Sequence, residues 1–250
     1  MIPAKYDQVG DFYLKFVEWG LANEQSLYSQ TSQHLLKMAD DVTGLHILDL
    51  CCGEGHLSKQ LAKMGGNVTG IDISAVNISA ARKAQAGLGN PSFLLDNAQT
   101  LGKIQNNLFD LVICKMALMD IPDLDATFKS VKRVLKHGGR FLTAMLHPCF
   151  ETPFNVPFKP IEQNDAGEFR HHRVQRYFDE GLWHSGGDGV RGKVGAHHRT
   201  LSSVFNSFLA AGFQITQLQE PQFLVGSQDS LEHQWSQQIP RILFFEGMAT

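Results

Sequence analysis

The spacing of apolar positions changes several times along the chain, and each change marks an element. Over residues 1–44, Phe12, Phe16 and Trp19 recur at helical spacing, and the run from His34 to Met38 resumes the pattern. This predicts an amphipathic helical cover over something else. From Leu45 the period shortens. "LHILDL" is a short apolar run suited to a strand buried on both faces. A helix from Ser58 to Met64 is stopped by Gly65-Gly66, and "NVTGIDIS" is a second strand. Ser74 caps a helix running to about Ala86, followed by the strands "PSFLLDNA" and "FDLVICKMAL". Asp125 is placed to cap a helix whose stripe is Phe128, Val131 and Leu135; Gly138-Gly139 ends it, and "RFLTAMLHP" is a fifth strand. Strands alternating with helices across short connections predict a parallel sheet with helices on both faces.

The alternation fails between Pro148 and Arg199. This stretch holds Pro153, Pro157 and Pro160 and a segment rich in glycine, histidine and aromatic residues. A structureless loop this long is unusual in a compact domain, so a lid with local structure is expected. Beyond it, "TLSSVFNSFLAAGF" reads as a helix capped by Thr200 or Ser202 and closed by Gly212. "FQITQLQE" and "RILFFEGM" read as two last strands, with a polar segment, Gly226 to Gln238, between them. The organisation is one domain over 1–250: a cover at 1–44, a core at 45–147, an insert at 148–199, and a helix with two strands at 200–250.

Composition narrows the class. The chain has 250 residues, 43% of them hydrophobic, enough to bury a full core, and a formal net charge of -3. That charge gives no reason to expect nucleic acid or an anionic membrane as partner. Four cysteines do not make a disulfide scaffold in a chain of this size. Met1 to Gly20 lacks the apolar block of a signal peptide, and no run approaches the roughly 18 apolar residues of a membrane span. A soluble, cytoplasmic protein, monomeric or weakly dimeric, is the expectation.

Chemistry enters at the strand ends. Ligands of open parallel sheets lie outside the carboxyl ends of the strands, where the strand order reverses. Asp49, Asp72, Asp96-Asn97, Cys114-Lys115 and His147 fall at five successive ends. Gly53 and Gly55 let the backbone after the first strand bend sharply and approach a ligand. A carboxylate at Asp72 suits the two hydroxyls of a ribose. Asp96 suits an adenine amino group, with a backbone N–H from Ala98 for a ring nitrogen. Together they describe an adenosine site.

These residues resemble the class I S-adenosylmethionine-dependent methyltransferases. In "ILDLCCGEG" Asp49, Cys52, Gly53 and Gly55 match the first motif of that family, with Cys51 in place of its first glycine. Asp72 in "VTGIDIS" matches the ribose acid and Asp96 in "LLDNA" the adenine-side acid. "FDLVICKMALMDIPD" and "VKRVLKHGGRFL" match the fourth-strand motif and the step into strand five. Five blocks stand in order between about Ile47 and Leu142. The resemblance implies a Rossmann-like α/β fold: a seven-stranded, mostly parallel sheet, an antiparallel C-terminal strand, the helical cover and an insert after strand five. It implies S-adenosylmethionine as cofactor and S-adenosylhomocysteine as product. More loosely, "HPCF", "YFDEGLW", "HHRTLSSVFNSFLAAGF" and "IPRILFF" resemble small-molecule methyltransferases, in which the insert shapes the acceptor pocket.

"GEGHLS" offers Gly53, Gly55 and Ser58 to a dinucleotide, which leaves a nicotinamide-dependent oxidoreductase as an alternative, as is a non-catalytic binder of the nucleoside. Cys51-Cys52 are adjacent rather than C-x-x-C, so buried loop residues are expected rather than a redox pair. His171, His172, His184, His197 and His198 lack metal-ligand spacing, and no metal is expected.

The resemblance distributes roles. Asp49 and the Cys52–Gly55 backbone hold the methionine end, with Cys51 beside them, and Asp72 holds the ribose. Asp96, Asn97 and Ala98 frame the adenine, with Cys114 and Lys115 at the fourth strand end. Ile73 and Met116 supply apolar walls, and Tyr6 or Tyr13 closes over the methionyl part, where a ring face favours a cation. His147 is the first candidate for proton removal, against simple packing at the sheet edge, with His184 and His198 behind it. Phe150, Tyr177 and Trp183 are candidate acceptor walls. No (Asp/Asn)-Pro-Pro-aromatic motif follows strand four, which favours a small organic acceptor, such as a quinone-like ring, over nucleic-acid amines.

Overall fold

The computed structural model describes residues 4–85, 87, 89–153 and 160–250. Pro157 of the insert and the expected helix end near Ala86 lie outside the described residues. Three helices, α1 (Lys5–Gln8), α2 (Gly10–Ala22) and α3 (Leu27–Ala39), form the cover. The core follows as β1 (His46–Leu50), α4 (His56–Lys63), β2 (Asn67–Asp72), α5 (Ala75–Ala84), β3 (Ser92–Leu95), β4 (Phe109–Lys115), a 3₁₀ turn at Leu118–Asp120, α6 (Leu124–Val134) and β5 (Leu135–Leu146). The insert holds β6 (Ile161–Gln163), β7 (Phe169–His172), β8 (Gly181–Trp183), α7 (Val190–Lys193) and β9 (Ala196–His198). The chain continues through α8 (Leu201–Ala210), β10 (Phe213–Gln219), α9 (Leu231–Ser236) and β11 (Ile242–Ala249).

Seven strands form one sheet in the order β10-β11-β5-β4-β1-β2-β3. β3, β2, β1, β4 and β5 are parallel to one another. β11 runs antiparallel between β5 and β10, so the C-terminal strand is antiparallel as expected, and β10 forms the edge. Strand order reverses between β1 and β4, which sets a ligand crevice at the carboxyl ends of these two strands.

The alternation of side chains divides the core into two layers. Ile47, Leu111, Ile113 and Phe244 pack toward α3 and α4 with Leu35, Leu57 and Leu61. Leu48, Val112, Phe141 and Phe245 pack toward α6 and α8 with Phe128 and Phe208. Both faces of the central strands are covered, which is why they read as unbroken apolar runs.

Several boundaries differ from the sequence reading. Asp123, not Asp125, caps α6, its side chain accepting from the Ala126 N–H at 2.9 Å. The helix ends at Val134, and Gly138-Gly139 lie in an irregularity of the β4–β5 pairing. α4 begins at His56, and Ser58 bonds to Asp49 instead of starting the helix. The polar segment after β10 contains α9, capped by Ser230. The predicted stripe of α2 is only partly covered: Trp19 is 59% exposed, and the buried residues of the helix are Gly10, Val17 and Gly20. The helix docks through its small residues, Gly20 against the Tyr28 ring and Gly10 against Val76, which leaves Trp19 exposed while Tyr13 and Phe16 line the cavity. Ser74 and Thr200 cap α5 and α8 as expected.

Candidate active site

The crevice opens into a cavity of about 540 Å³ above the carboxyl ends of β1, β2 and β4. Its floor begins with the turn after β1. Cys51, Gly53 and Gly55 all have positive φ, at 60°, 57° and 81°. At Gly55 a side chain would also run into the Phe93 ring, so glycine is needed there for two reasons. The turn delivers the Gly53 N–H to Asp72 Oδ2 at 3.0 Å, while the Ser74 N–H donates to Oδ1 at 2.8 Å. Asp72 is thus held chiefly by backbone, with the Asn77 side chain as a further donor. Burial nevertheless raises its carboxyl to about 6, against the pull of those bonds. Asp49, 2% exposed, accepts from Ser58 Oγ at 2.5 Å, and burial lifts it to about 7.

Cys51 and Cys52 line the floor as free thiols. A hydrogen bond with Cys114 and burial raise Cys51, and burial raises Cys52, which keeps both protonated and unreactive. Lys115 and Met116, where β4 ends, line the same floor, and Tyr6, Tyr13 and Ile73 complete the predicted residues found there. Burial holds the Tyr6 and Tyr13 hydroxyls well above the usual range. The rings meet edge to face at 4.9 Å.

Other predicted residues lie outside the lining. Asp96 spends its carboxylate on the backbone N–H groups of Asn97 and Lys103, at 2.8 and 3.0 Å. Ala98 and Cys114 are buried in the core. His147 is 3% exposed with both ring nitrogens engaged. Its Nδ1 accepts from the Cys149 N–H at 3.2 Å, so Nε2 carries the proton and donates to Glu220 at 2.6 Å. Phe150 packs on His147, and its carbonyl bonds His172. Tyr177 Oη accepts from the Leu201 N–H at 2.9 Å, at the start of α8. His184 is exposed and bonds the Gly192 carbonyl. His198 bonds the Tyr177 carbonyl at 2.8 Å and, with Trp183, borders a separate hollow of about 20 Å³. Among the described residues, no three His, Cys, Asp or Glu side chains converge as metal ligands.

His197 borders both hollows. Burial, then Arg199 and Lys5, push it below the usual imidazole value, so it is neutral near pH 7. The roof is a clasp of three distant segments: Tyr6 Oη donates to Asp120 Oδ2 at 3.0 Å, Arg191 pairs with Asp120 Oδ1, and Lys5 Nζ donates to the Val194 carbonyl at 3.3 Å. Burial raises the Asp120 carboxyl despite Arg191. Tyr28, Asn77, Asp120, Arg191 and Arg241 line the cavity without having been singled out from sequence. Asp120 carried a signal, a charge just past the end of a buried strand. Arg191, among glycines in an aperiodic insert, carried none.

Residues 41–174, more than half of the chain, match the family described as Methyltransferase domain, and the chain belongs to it. It is a methyltransferase-domain protein of the class I type whose motifs it carries. It is similar to the demethylmenaquinone methyltransferase of Leptospira interrogans, 33% identical over 148 residues that cover 56% of this chain and 58% of that one. It is 32% identical to the ubiquinone biosynthesis O-methyltransferase of Xanthomonas oryzae over 110 residues, 43% and 45% of the two chains. The chain thus spans about half the length of these relatives. A solved structure from Listeria monocytogenes, a candidate S-adenosylmethionine-dependent methyltransferase, superposes with a TM-score of 0.73 at 26% identity, covering 89% of this chain and 99% of that one.

Proposed function

We propose that this chain transfers the methyl group of S-adenosylmethionine to a small organic acceptor carrying a quinone-like or phenolic ring. One observation carries the reading: a single cavity joins two buried carboxylates at adjacent strand ends to a largely apolar space under the insert. The residues present fit the cofactor. Among the described residues, Asn77 Oδ1 is buried without a partner beside Asp72, an open acceptor where ribose hydroxyls are expected. Asp72 would take the ribose and Asp49 with the Cys51–Gly55 loop the methionyl end. Tyr6 and Tyr13 would cover it, Asp96, Asn97 and Ala98 would shape the rim on the adenine side, and Cys114 would back the floor from the core. The cofactor when bound supplies both the methyl electrophile and its leaving group. The protein's part is to align an acceptor with it and exclude water.

On the acceptor side, Met116 and Leu182 offer apolar walls, and His197, neutral and facing the cavity, suits removal of a hydroxyl proton. His147, whose ring is fully bonded, and His184 and His198, outside the lining, serve this reading as supports of the insert. So do Phe150, Tyr177 and Trp183. The names of the two relatives, both acting on quinone precursors, support a small ring acceptor. The reading treats 1–250 as one functional unit with the insert as lid, working in the cytoplasm as a monomer or weak homodimer without nucleic acid. Among the described residues, no helix is long and apolar enough to cross a membrane.

S-adenosylhomocysteine is expected to raise the melting temperature and NAD to leave it unchanged. A shift with NAD alone would replace this reading with the oxidoreductase one. Binding of S-adenosylhomocysteine without transfer from S-adenosylmethionine to any of a panel of hydroquinones, catechols and phenols would leave a binding protein.

A further inference from the structure

Among the described residues, Lys115 is a half-buried cation with no ion-pair partner. It ends β4, lines the cavity, and its Nζ donates to Ser32 Oγ at 3.0 Å. The ammonium lies 3.3 Å from the centre of the Tyr28 ring. Among the described residues no carboxylate forms an ion pair with it, although Asp49 and Glu54 stand near enough to favour its charge. Burial is the larger effect and lowers its pKa to about 8. A hydroxyl and a ring face do not repay the desolvation of an ammonium, which ordinarily requires an anion. One of its three donors is used by Ser32, and the cavity is the space left for the others. Asp49 presents the opposite case on the neighbouring strand: Ser58 occupies one oxygen, and Oδ1 takes no hydrogen bond from the described residues.

A buried carboxyl and a half-buried ammonium on adjacent strands, each incompletely satisfied and both facing one cavity, fit a zwitterion. With S-adenosylmethionine as the bound cofactor, the reading on which this rests, we infer that Lys115 binds the carboxylate of its amino-acid end while Asp49 takes the ammonium. Lys115 is then the residue that selects the full cofactor against nucleoside thioethers lacking that carboxylate. Its position over Tyr28 keeps the ammonium aimed without neutralising it. The half-buried charge is a cost to the empty protein that the cofactor relieves.

The test is calorimetric and needs no acceptor. Wild type, Lys115→Met and Lys115→Arg are titrated with S-adenosylhomocysteine and with its decarboxylated analogue, which keeps the adenosine, the thioether and the amine. Wild type is expected to prefer the full ligand. Lys115→Met should lose about 10- to 100-fold in affinity for S-adenosylhomocysteine, the range of a charge-assisted hydrogen bond, and change little toward the analogue. Lys115→Arg should recover part of the loss. The unliganded Lys115→Met protein should melt no lower than wild type, since a half-buried charge has been removed. Equal losses toward both ligands would make Lys115 a structural residue, and an unchanged affinity for S-adenosylhomocysteine would place the carboxylate elsewhere; either overturns the inference. Failure of wild type to bind either ligand is a separate result, which removes the cofactor reading itself.

Discussion

The two ends of the cavity are built in opposite ways. At the strand-end side, position is set by backbone. β1 and β2 pair in register, Asp49 opposite Gly70, so their two carboxylates fall one strand apart, and Asp72 is fixed by the N–H groups of Gly53 and Ser74. At the insert side, position is set by side chains reaching across the chain. Tyr6 meets Asp120, Arg191 meets Asp120, and Lys5 meets Val194, each pair joining segments far apart in sequence. The first construction holds one geometry with little freedom and suits a ligand that never varies. The second can open, and can be rebuilt by changing a few side chains, which suits an acceptor and its release.

The largest effect is expected where backbone holds the carboxylate. Asp72→Ala should weaken S-adenosylhomocysteine binding by about 100-fold or more, as loss of a charged partner to two hydroxyls implies, and abolish its thermal shift. The unliganded protein should stay folded but lose about 1–3 kcal/mol, because the Gly53 and Ser74 N–H groups are left without their acceptor. Calorimetry with parallel melting curves reads both. Near-normal affinity would mean that the ribose lies elsewhere and that the strand-end side is not the fixed one.

This contrast also explains what could be read from the sequence. The sheet and its acid-tipped strands were legible because βαβ units impose fixed spacing, and caps such as Ser74 and Thr200 act within four residues of themselves. The cover was misread at α2, where the apolar stripe is real but Gly10 and Gly20 decide which side docks. The insert was not legible in detail. β6, β8 and β9 have three residues each, too short to carry a period, and their positions depend on partners such as Asp120 that no local pattern reveals. The same limit explains the histidines. His147 ends a core strand, a position that sequence can find. Neighbours on β9 face opposite ways, so His197 borders the cavity while His198 bonds the Tyr177 carbonyl, and only the strand's placement tells them apart.

A middle-sized effect should come from opening the clasp. Arg191→Leu leaves Asp120 with only the Tyr6 hydroxyl at a site where burial already raises its carboxyl. The pair is partly exposed, so the expected cost is about 1–2 kcal/mol, below that of a fully buried pair. Hydrogen exchange should quicken across residues 190–198, while affinity for S-adenosylhomocysteine stays within about threefold. If cofactor affinity fell as far as in Asp72→Ala, the two ends would be one cooperative unit and the contrast between them would fail.

The smallest expected effect is one of pH, and its sign separates this site from an ordinary ion-paired one. Folding raises Asp49 to about 7 and Asp72 to about 6, both from burial. A carboxyl raised in the folded state adds stability that is fully present below its unfolded pKa and lost as pH rises through the folded value. Through these two groups the unliganded protein should therefore gain stability as pH falls from 7.5 toward about 5.5. Hydroxyls and an ammonium need the ionised carboxylates as acceptors, so the affinity for S-adenosylhomocysteine should fall over the same interval, by about tenfold. The two trends oppose: the bare protein melts higher at about pH 5.5 than at 7.5, while the shift produced by the ligand shrinks. Asp72→Ala should keep only the part due to Asp49. Carboxylates ionised throughout would instead give a ligand shift independent of pH over this interval, and the strand-end side would then be neutralised by groups other than the cofactor.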